Sequence, residues 1–286
     1  MNEYLVEAEE LHAHTARGET FVIDTRDPQA YAAGHLPNAV NVHDIFTYLC
    51  TRGSGGHPAL VQHFAKVFGA AGLQRTDRVV VYEDAMDNGY GQSCRGWFLL
   101  NYLGHPEVRV LHGGLKAWQA AKLPLTTEVP IYERARYEPV VNEGIMVTAD
   151  EMVAAIRNPE IKIVDVRDYA EWLAANSSPY GYDYCPRKGR IPRSLWLEWY
   201  KLMTRKGGVP WFRAPEVIRA LAEAAGLNVD DQLYLYCFKG ARTSNAMLAL
   251  KLAGFKNVRN YFNSWNEWSR DFSLPIEEGY PDEAPA

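Results

Sequence analysis

Cys237 is the residue of this sequence whose type and setting point most directly to covalent chemistry. It follows an apolar run at residues 233–236, which we predict to be a strand, and it precedes a predicted helix that starts near Arg242 or Thr243. In open α/β sheets, ligands bind beyond the carboxyl ends of the strands. The N–H groups of a short loop and the positive end of a helix favour a thiolate there, so a lowered pKa is expected for Cys237.

Three neighbours of Cys237 support this hypothesis. Lys239 and Arg242 add two positive charges, and Gly240 permits the tight curvature that an anion-binding loop needs. All eight histidines lie in the first half of the chain, so the second half offers no imidazole to act as a base, as cysteine-protease chemistry requires. The alternative interpretation is a buried structural cysteine followed by solvated cations; the order strand, Cys, Gly, Arg, helix favours the reactive thiolate.

The two halves of the chain repeat the same pattern. Apolar runs at residues 21–26 and 161–167 each contain Asp-x-Arg and are each followed by another Asp and a helix-like segment. Further matches occur in the same order, pairing residues 34–39 with 189–194, 72–83 with 226–237, and 108–118 with 258–268. The sequence therefore predicts a duplicated domain.

Short apolar runs alternate with helical segments, such as residues 59–71 and 215–225, within each half. This alternation predicts an α/β fold with two similar domains, each a central, mainly parallel sheet flanked by helices. We place the domains at residues 1–125 and 145–286. The linker at residues 126–144 contains prolines and shows no helical period.

The second half carries an insertion at residues 176–188 that is rich in Tyr, Ser and Pro and is predicted to be a loop. Long loops of this kind are often functional. Its tyrosines, Tyr180, Tyr182 and Tyr184, would either dock a protein partner or pack on the interface between the domains.

The composition restricts the function further. The chain has 286 residues, 47% of them hydrophobic and 23% charged, and a net charge of -5, which is typical of a globular protein and gives no electrostatic reason to expect nucleic acid as a partner. An acidic start and the lack of a long apolar run argue against a signal peptide or a membrane span, so a cytoplasmic protein is expected. The four cysteines form no CxxC pair, so neither a metal nor another cofactor is expected.

The loop Cys237-Phe-Lys-Gly-Ala-Arg-Thr-Ser resembles the active loop of the rhodanese family. Asp165-x-Arg167, residues 34–39 and Ser264-Trp-Asn-Glu-Trp268 resemble other signatures of that family. The resemblance spans nearly the whole chain, in the two-domain arrangement of thiosulfate and 3-mercaptopyruvate sulfurtransferases. It implies a catalytic second domain and a catalytically inert first domain.

The first half has Glu83 at the position that matches the catalytic cysteine, and a carboxylate cannot form a persulfide. Cys94 follows the altered loop and roughly matches Ser244. It is interpreted as a packing thiol, with a second sulfur acceptor as the alternative.

The resemblance implies a double-displacement reaction in which Cys237 takes sulfur from a small anionic donor, with thiosulfate preferred, and passes it to cyanide or a thiol. The residues expected to bind the donor are Lys239, Gly240, Arg242, Thr243 and, from the facing wall, Arg187. Lys239 and Arg242 would hold the oxyanion of the donor. Arg190, which stands where the first half has His35, is a further candidate on that wall.

Three alternatives remain open from the sequence. The donor is 3-mercaptopyruvate in one of them. In the second, the chain is a persulfide relay that passes sulfur to a protein acceptor. The third is a cysteine phosphatase, although related phosphatases have five residues between Cys and Arg, whereas here four residues separate Cys237 from Arg242.

Overall fold

The computed structural model describes residues 2–87 and 91–280. Contacts between residues divide the chain into two compact units. The first comprises Met1–Tyr48, Ser54–Glu143 and Met203–Phe212, and the second comprises Leu49–Gly53, Gly144–Leu202 and Arg213–Ala286. Leu49–Gly53 therefore belongs to the second unit although it lies in the first half of the sequence, and Met203–Phe212 belongs to the first unit although it lies in the second half. The internal repeat did not predict this exchange.

The first unit is built on a parallel sheet of five strands in the order β1-β5-β4-β2-β3. The strands are β1 (Leu5–Val6), β2 (Phe21–Asp24), β3 (Ala39–Asn41), β4 (Val79–Tyr82) and β5 (Val108–Leu111). The helices are α1 (Ala8–Ala16), α2 (Pro28–Ala33), α3 (Asp44–Thr47), α4 (Gly56–Ala70), α5 (Gln92–Tyr102) and α6 (Gly114–Ala120). β2 and β4 are buried along their whole length, which explains why they read as continuous apolar runs.

The second unit is built on a parallel sheet of four strands in the order β11-β10-β6-β7. Its strands are β6 (Ile161–Asp165), β7 (Leu195–Trp196), β10 (Gln232–Tyr236) and β11 (Asn257–Asn260). Its helices are α7 (Ala149–Ile156), α8 (Tyr169–Trp172), α9 (Pro215–Ala224), α10 (Ala241–Leu252) and α11 (Ser264–Trp268). The predicted fold class is confirmed, because each unit has a parallel sheet flanked by helices.

A β-hairpin of strands β8 (Met203–Lys206) and β9 (Val209–Phe212) comes from the second half of the sequence and groups with the first unit. The ring of His112 packs edge-on against Trp211, and its Nε2 accepts a hydrogen bond of 3.1 Å from the N–H of Phe212. Arg205 forms an ion pair of 2.8 Å with Asp87. These contacts explain why the hairpin groups with the first unit.

Short 3-10 turns lie at Arg52–Ser54, Glu143–Ile145 and Trp199–Leu202. The predicted linker at residues 126–144 contains no α-helix and runs along the first unit, where the N–H of Val140 donates to the carbonyl of Leu103. Gly104 adopts a positive φ of 73° beside this contact, and a Cβ atom there would collide with the carbonyl of Val140. No helix within residues 2–87 and 91–280 is long and apolar enough to cross a bilayer.

Candidate active site

Cys237 lies directly after β10, where the chain turns through residues 238–240 into α10. Gly240 precedes the helix with a φ of 89°, in the left-handed region that favours glycine. A Cβ atom at Gly240 would lie 2.8 Å from the carbonyl oxygen of Phe262, so a larger residue would push the loop away from its support. The sequence placed the cysteine and the glycine correctly relative to strand and helix.

The sulfur of Cys237 is buried, with the residue 1% exposed, and polar groups surround it. The N–H of Gly240 donates to Sγ at 3.2 Å, and the hydroxyl of Thr243 lies 3.7 Å from Sγ. The first N–H groups of α10 have no partner within the helix and carry its positive partial charge. The loop and the helix start therefore form a cradle for a negatively charged sulfur, which we call the thiolate cradle (Cys237 to Thr243).

Ser264 supports the thiolate cradle from the start of α11. Its Oγ accepts a hydrogen bond of 3.0 Å from the N–H of Cys237 and donates one of 2.7 Å to the carbonyl of Tyr261. The same Oγ lies 3.9 Å from Sγ of Cys237. Ser264 is fully buried and has a φ of 55°, an uncommon conformation for a residue that is not glycine.

Helix α11 also turns the carbonyls of the loop away from the sulfur. The N–H of Trp265 donates to the carbonyl of Cys237 at 3.0 Å, and the N–H of Asn266 donates to the carbonyl of Phe238 at 3.0 Å. Since α11 holds these carbonyls, the amide groups of the loop are left to face the sulfur.

Opposing influences set the pKa of Cys237. Burial, the largest of them, raises it, while the charge of Arg242 and hydrogen bonds from Thr243 and Gly240 lower it. The balance leaves the pKa of Cys237 below the ordinary value of a thiol. The geometry thus favours a thiolate, the nucleophilic form of cysteine, without any imidazole partner.

Arg242, which is expected to hold the oxyanion of the donor, lies against two carboxylates. Its guanidinium is 2% exposed and forms a two-pronged contact with Glu171, at 2.5 and 3.0 Å, and a third contact of 3.2 Å with Asp168. The carboxylates fix the guanidinium within the protein, so Arg242 acts on Cys237 through its charge. Donor binding by Arg242 stays a prediction.

Lys239 lies close to the predicted insertion. Its Nζ is 5.2 Å from the centre of the Tyr180 ring, and the residue is 8% exposed. Residues 176–188 form neither helix nor strand, as predicted for a loop. Tyr180 and Tyr184 both pack against Phe238, the residue after Cys237, so the insertion covers part of the thiolate cradle.

Arg187, which is predicted to face the donor from the opposite wall, is held by main-chain carbonyls. Its guanidinium donates to four main-chain carbonyls, those of Trp268, Ser269, Asp271 and Leu274, at 2.5 to 2.9 Å. Burial lowers the pKa of Arg187. These contacts tie the insertion to the segment after α11, while donor binding by Arg187 stays a prediction.

Arg190 has a structural role as well. It stacks on Trp172, with its guanidinium carbon 4.7 Å from the ring centre, and donates to the carbonyl of Gly279 at 2.6 Å. Its main chain pairs with Glu277, just as the main chain of His35 pairs with Thr126 in the first unit. The two matching residues each anchor the segment that follows their sheet.

Asp165 and Arg167, the Asp-x-Arg pair of the repeat, lie fully buried beside the site. They form a two-pronged ion pair that includes a contact of 2.6 Å, and the hydroxyl of Tyr236 donates to Asp165 at 2.6 Å. The guanidinium carbon of Arg167 lies 4.6 Å from the ring centre of Trp265. This network links β6, β10 and α11 and so supports the thiolate cradle.

The loop of the first unit contains a carboxylate where the second unit has the thiol. Glu83 is buried and accepts hydrogen bonds from the N–H groups of Gln92 and Ser93, at 3.1 and 3.2 Å, and from the hydroxyl of Ser93 at 2.6 Å. Burial raises the pKa of Glu83 to about 7, although the hydrogen bonds from Ser93 and Gln92 oppose that rise. The N-terminus of α5 therefore binds a carboxyl group supplied by the chain itself.

The remaining cysteines, Cys50, Cys94 and Cys185, are buried. Burial raises the pKa of Cys185 to about 11, the opposite direction from Cys237. Among the described residues, no group of three or more His, Cys, Asp or Glu side chains could hold a metal ion.

Sequence reasoning missed Glu171 and Ser264 as contributors to the site. Glu171 lies three residues after Asp168, a spacing typical of residues that cap the start of a helix, which hid its contact with Arg242. Ser264 stands where the repeat has Gly114, and this replacement of a glycine was the available signal.

Residues 7–121 and 148–271 each match the model of the rhodanese-like domain. The chain therefore belongs to the rhodanese family and carries its domain twice, which confirms the resemblance seen in the sequence. This membership makes the chain a sulfurtransferase by class.

Two relatives of known name are similar over most of the chain. Sulfur carrier protein TtuD of Thermus thermophilus is 32% identical over 225 residues, which cover 76% of this chain and 77% of the relative. The thiosulfate sulfurtransferase of Corynebacterium glutamicum is 31% identical over 287 residues, which cover 97% of this chain and 91% of the relative. Among solved structures, a complex of an EanB variant with hercynine is 25% identical with a TM-score of 0.83, and the match covers 97% of this chain and 70% of the other.

Proposed function

We propose that the chain transfers a sulfane sulfur from thiosulfate to cyanide or a thiol through a persulfide on Cys237. The observation that carries this proposal is the buried sulfur of Cys237, which receives hydrogen bonds at the start of α10 and has a lowered pKa. The similarity to a thiosulfate sulfurtransferase over nearly the whole chain supports thiosulfate as the donor.

In the first step, the Cys237 thiolate attacks the outer sulfur of thiosulfate. An S–S bond forms to Sγ while the S–S bond of thiosulfate breaks, and sulfite leaves with the electron pair. The product is a persulfide anion, whose terminal sulfur carries the negative charge. The N–H of Gly240 and the positive end of α10 are placed to stabilise that charge.

In the second step, an acceptor attacks the terminal sulfur of the persulfide. Cyanide becomes thiocyanate, or a thiolate becomes a persulfide, and the electron pair of the broken S–S bond returns to Sγ as the thiolate. No external oxidant or reductant is needed, because the sulfur is exchanged between nucleophiles. Arg242, held in place by Glu171 and Asp168, keeps its positive charge beside Cys237 throughout.

The position of Arg242 also argues against a phosphatase. A guanidinium binds phosphate best with two parallel N–H groups, and in this site those groups already bind Glu171. A phosphate group in the thiolate cradle would compete with Glu171 for that pair of N–H groups or bind through the remaining ones, whereas a single sulfur atom requires no two-pronged contact.

A persulfide relay is a second candidate, supported by the similarity to a sulfur carrier protein. In that case the terminal sulfur passes to a protein thiolate or another protein acceptor. The chemistry at Cys237 is the same, and only the acceptor differs.

The decisive experiment is intact-mass analysis of the reduced protein after incubation with thiosulfate, beside Cys237→Ser and Cys94→Ser variants. We expect the wild type and Cys94→Ser to gain the mass of one sulfur atom, removable by cyanide, and Cys237→Ser to gain nothing. Loading of Cys237→Ser would place the persulfide elsewhere. If folded wild-type protein gained sulfur from 3-mercaptopyruvate but not from thiosulfate, the proposed donor would be wrong.

A further inference from the structure

The insertion at residues 176–188 contacts the thiolate cradle through aromatic side chains. The ring centres of Tyr180 and Phe238 are 4.7 Å apart, and Tyr184 approaches Phe238 edge-on at 6.3 Å. Nζ of Lys239 lies 5.2 Å from the centre of the same Tyr180 ring. One tyrosine of the insertion thus contacts both residues that follow Cys237.

The burial of these side chains shows why the contact matters for Lys239. Phe238 and Lys239 are only 3% and 8% exposed, while Tyr180 is 38% exposed. An ammonium group is strongly hydrated, so it remains near a covered surface only where a partner replaces part of its water. The face of an aromatic ring is such a partner, because its quadrupole attracts a cation.

We propose that Tyr180 is a specificity-determining residue that positions the ammonium of Lys239 beside Cys237 and so favours reagents with an anionic group. This inference rests on the proposed function for its biological meaning, because it names the charge that the donor must carry. Thiosulfate, with two negative charges, would gain more from Lys239 than a donor with a single charge or none. Tyr180 acts through Lys239 and does not itself contact the reacting sulfur atoms.

Tyr182 provides a matched control within the same insertion. It is 54% exposed, and its ring contacts Nζ of Lys188 at 5.7 Å, a lysine that is not part of the active loop. Replacing Tyr182 removes a tyrosine and a lysine contact of the same type from the insertion, but leaves the contact between Tyr180 and Lys239 in place.

The test compares the rates at which iodoacetate and iodoacetamide alkylate Cys237, followed by mass spectrometry of the peptide that contains it. Both reagents react with a thiolate, but only iodoacetate is anionic, so the ratio of the two rates reports the cation near the sulfur. For Tyr180→Leu we expect this ratio to fall by about 2-fold to 5-fold, the range of a partly exposed cation–π contact. Tyr180→Phe and Tyr182→Leu should keep the wild-type ratio.

A double-mutant cycle shows whether Tyr180 acts through Lys239. Lys239→Met should lower the ratio at least as much as Tyr180→Leu, and adding Tyr180→Leu to Lys239→Met should change it no further. If the two substitutions lower the ratio independently, Tyr180 does not act through Lys239, and if Tyr180→Leu leaves the ratio unchanged, Tyr180 only packs on Phe238; either result shows that the inference is wrong.

Steady-state kinetics then connect the positioning to the donor. In Tyr180→Leu we expect KM for thiosulfate to rise with little change in kcat, and KM for the singly charged 3-mercaptopyruvate to rise less. The alkylation ratio requires no sulfur transfer, so the two proposals fail separately. If the alkylation ratios change as expected but no persulfide forms, only the proposed function is refuted. If the persulfide forms but Tyr180→Leu leaves the ratio unchanged, only the role of Tyr180 is refuted.

Discussion

The loop after β4 in the first unit and the loop after β10 in the second differ in length, but both are held by the following short helix and both place an acidic side chain at a helix N-terminus. The N–H groups of Leu115 and Lys116 in α6 bind the carbonyls of Glu83 and Asp84, at 2.8 and 3.1 Å. Trp265 and Asn266 of α11 bind the carbonyls of Cys237 and Phe238 in the same way. Both units thus turn carbonyls outward and direct a helix N-terminus at the side chain that follows the strand.

The difference lies in how each unit treats the negative charge. In the first unit, Glu83 receives hydrogen bonds from Ser93 and Gln92, and burial raises its pKa to about 7. In the second, Arg242 adds a positive charge beside Cys237, and the pKa of the thiol is lowered. The comparison teaches that a helix N-terminus accommodates an acidic side chain in either unit, and that the cation of the second unit favours the ionised, reactive form of Cys237.

The ion pair between Arg242 and Glu171 offers the first test of this comparison. The first unit has other residues at the matching positions. Ser93 follows Gly91 as Arg242 follows Gly240, and Ala30 follows Asp27 as Glu171 follows Asp168. Because both partners are at least 98% buried, Glu171→Gln or Arg242→Met should each lower the free energy of unfolding by about 3–5 kcal/mol. Urea unfolding measures the loss.

The double variant Glu171→Ala with Arg242→Ser transplants the residues of the first unit. It should lose less stability than the sum of the single losses, since neither charge is left unpaired. The pKa of Cys237 should rise, which shifts the midpoint of the alkylation rate against pH upward. An unchanged midpoint would show that the charge of Arg242 does not set the reactivity of the thiol.

Glu83 offers the second test, through the pH dependence of stability. Its folded pKa of about 7 lies above the unfolded value of 4.5, so the folded protein binds this proton more tightly. The stabilisation is fully present below about pH 4.5 and is lost as pH rises towards 7. Between about pH 5 and about pH 8, the wild type should lose about 2–3 kcal/mol more stability than Glu83→Gln, which cannot titrate there.

Urea unfolding of both proteins across this pH range isolates the contribution of Glu83, because all other titrating groups are shared. Sulfur loading of Glu83→Gln should match the wild type, as expected if the first unit is catalytically inert. Parallel stability curves would mean that Glu83 remains ionised in the folded protein, and the contrast between the two loops would disappear.

The sequence was a good guide to main-chain features and a poor guide to the direction of long side chains. Alternating apolar runs and helices predicted the parallel sheets, and the order of Cys237, Gly240 and α10 followed from the turn that glycine permits. The side chain of Arg242 points to Glu171, 71 residues earlier, and Arg187 points to carbonyls 81 to 87 residues later. Such partners are set by the packing of distant elements, which local sequence does not encode.

Ser264 allows the smallest and most specific test, because the first unit has Gly114 at the same place. Both residues have a positive φ, 55° for Ser264 and 63° for Gly114, but only the serine binds the N–H of Cys237. Ser264→Ala keeps the unfavourable φ and leaves that buried N–H without its acceptor, so it should lower the free energy of unfolding by about 1–3 kcal/mol.

Ser264→Gly loses the same hydrogen bond but relieves the backbone, so it should be more stable than Ser264→Ala by about 1 kcal/mol. Urea unfolding separates the two contributions: equal stability of the two variants would show that the backbone at Ser264 is not strained, and a Ser264→Ala variant as stable as the wild type would remove the hydroxyl from the support of Cys237.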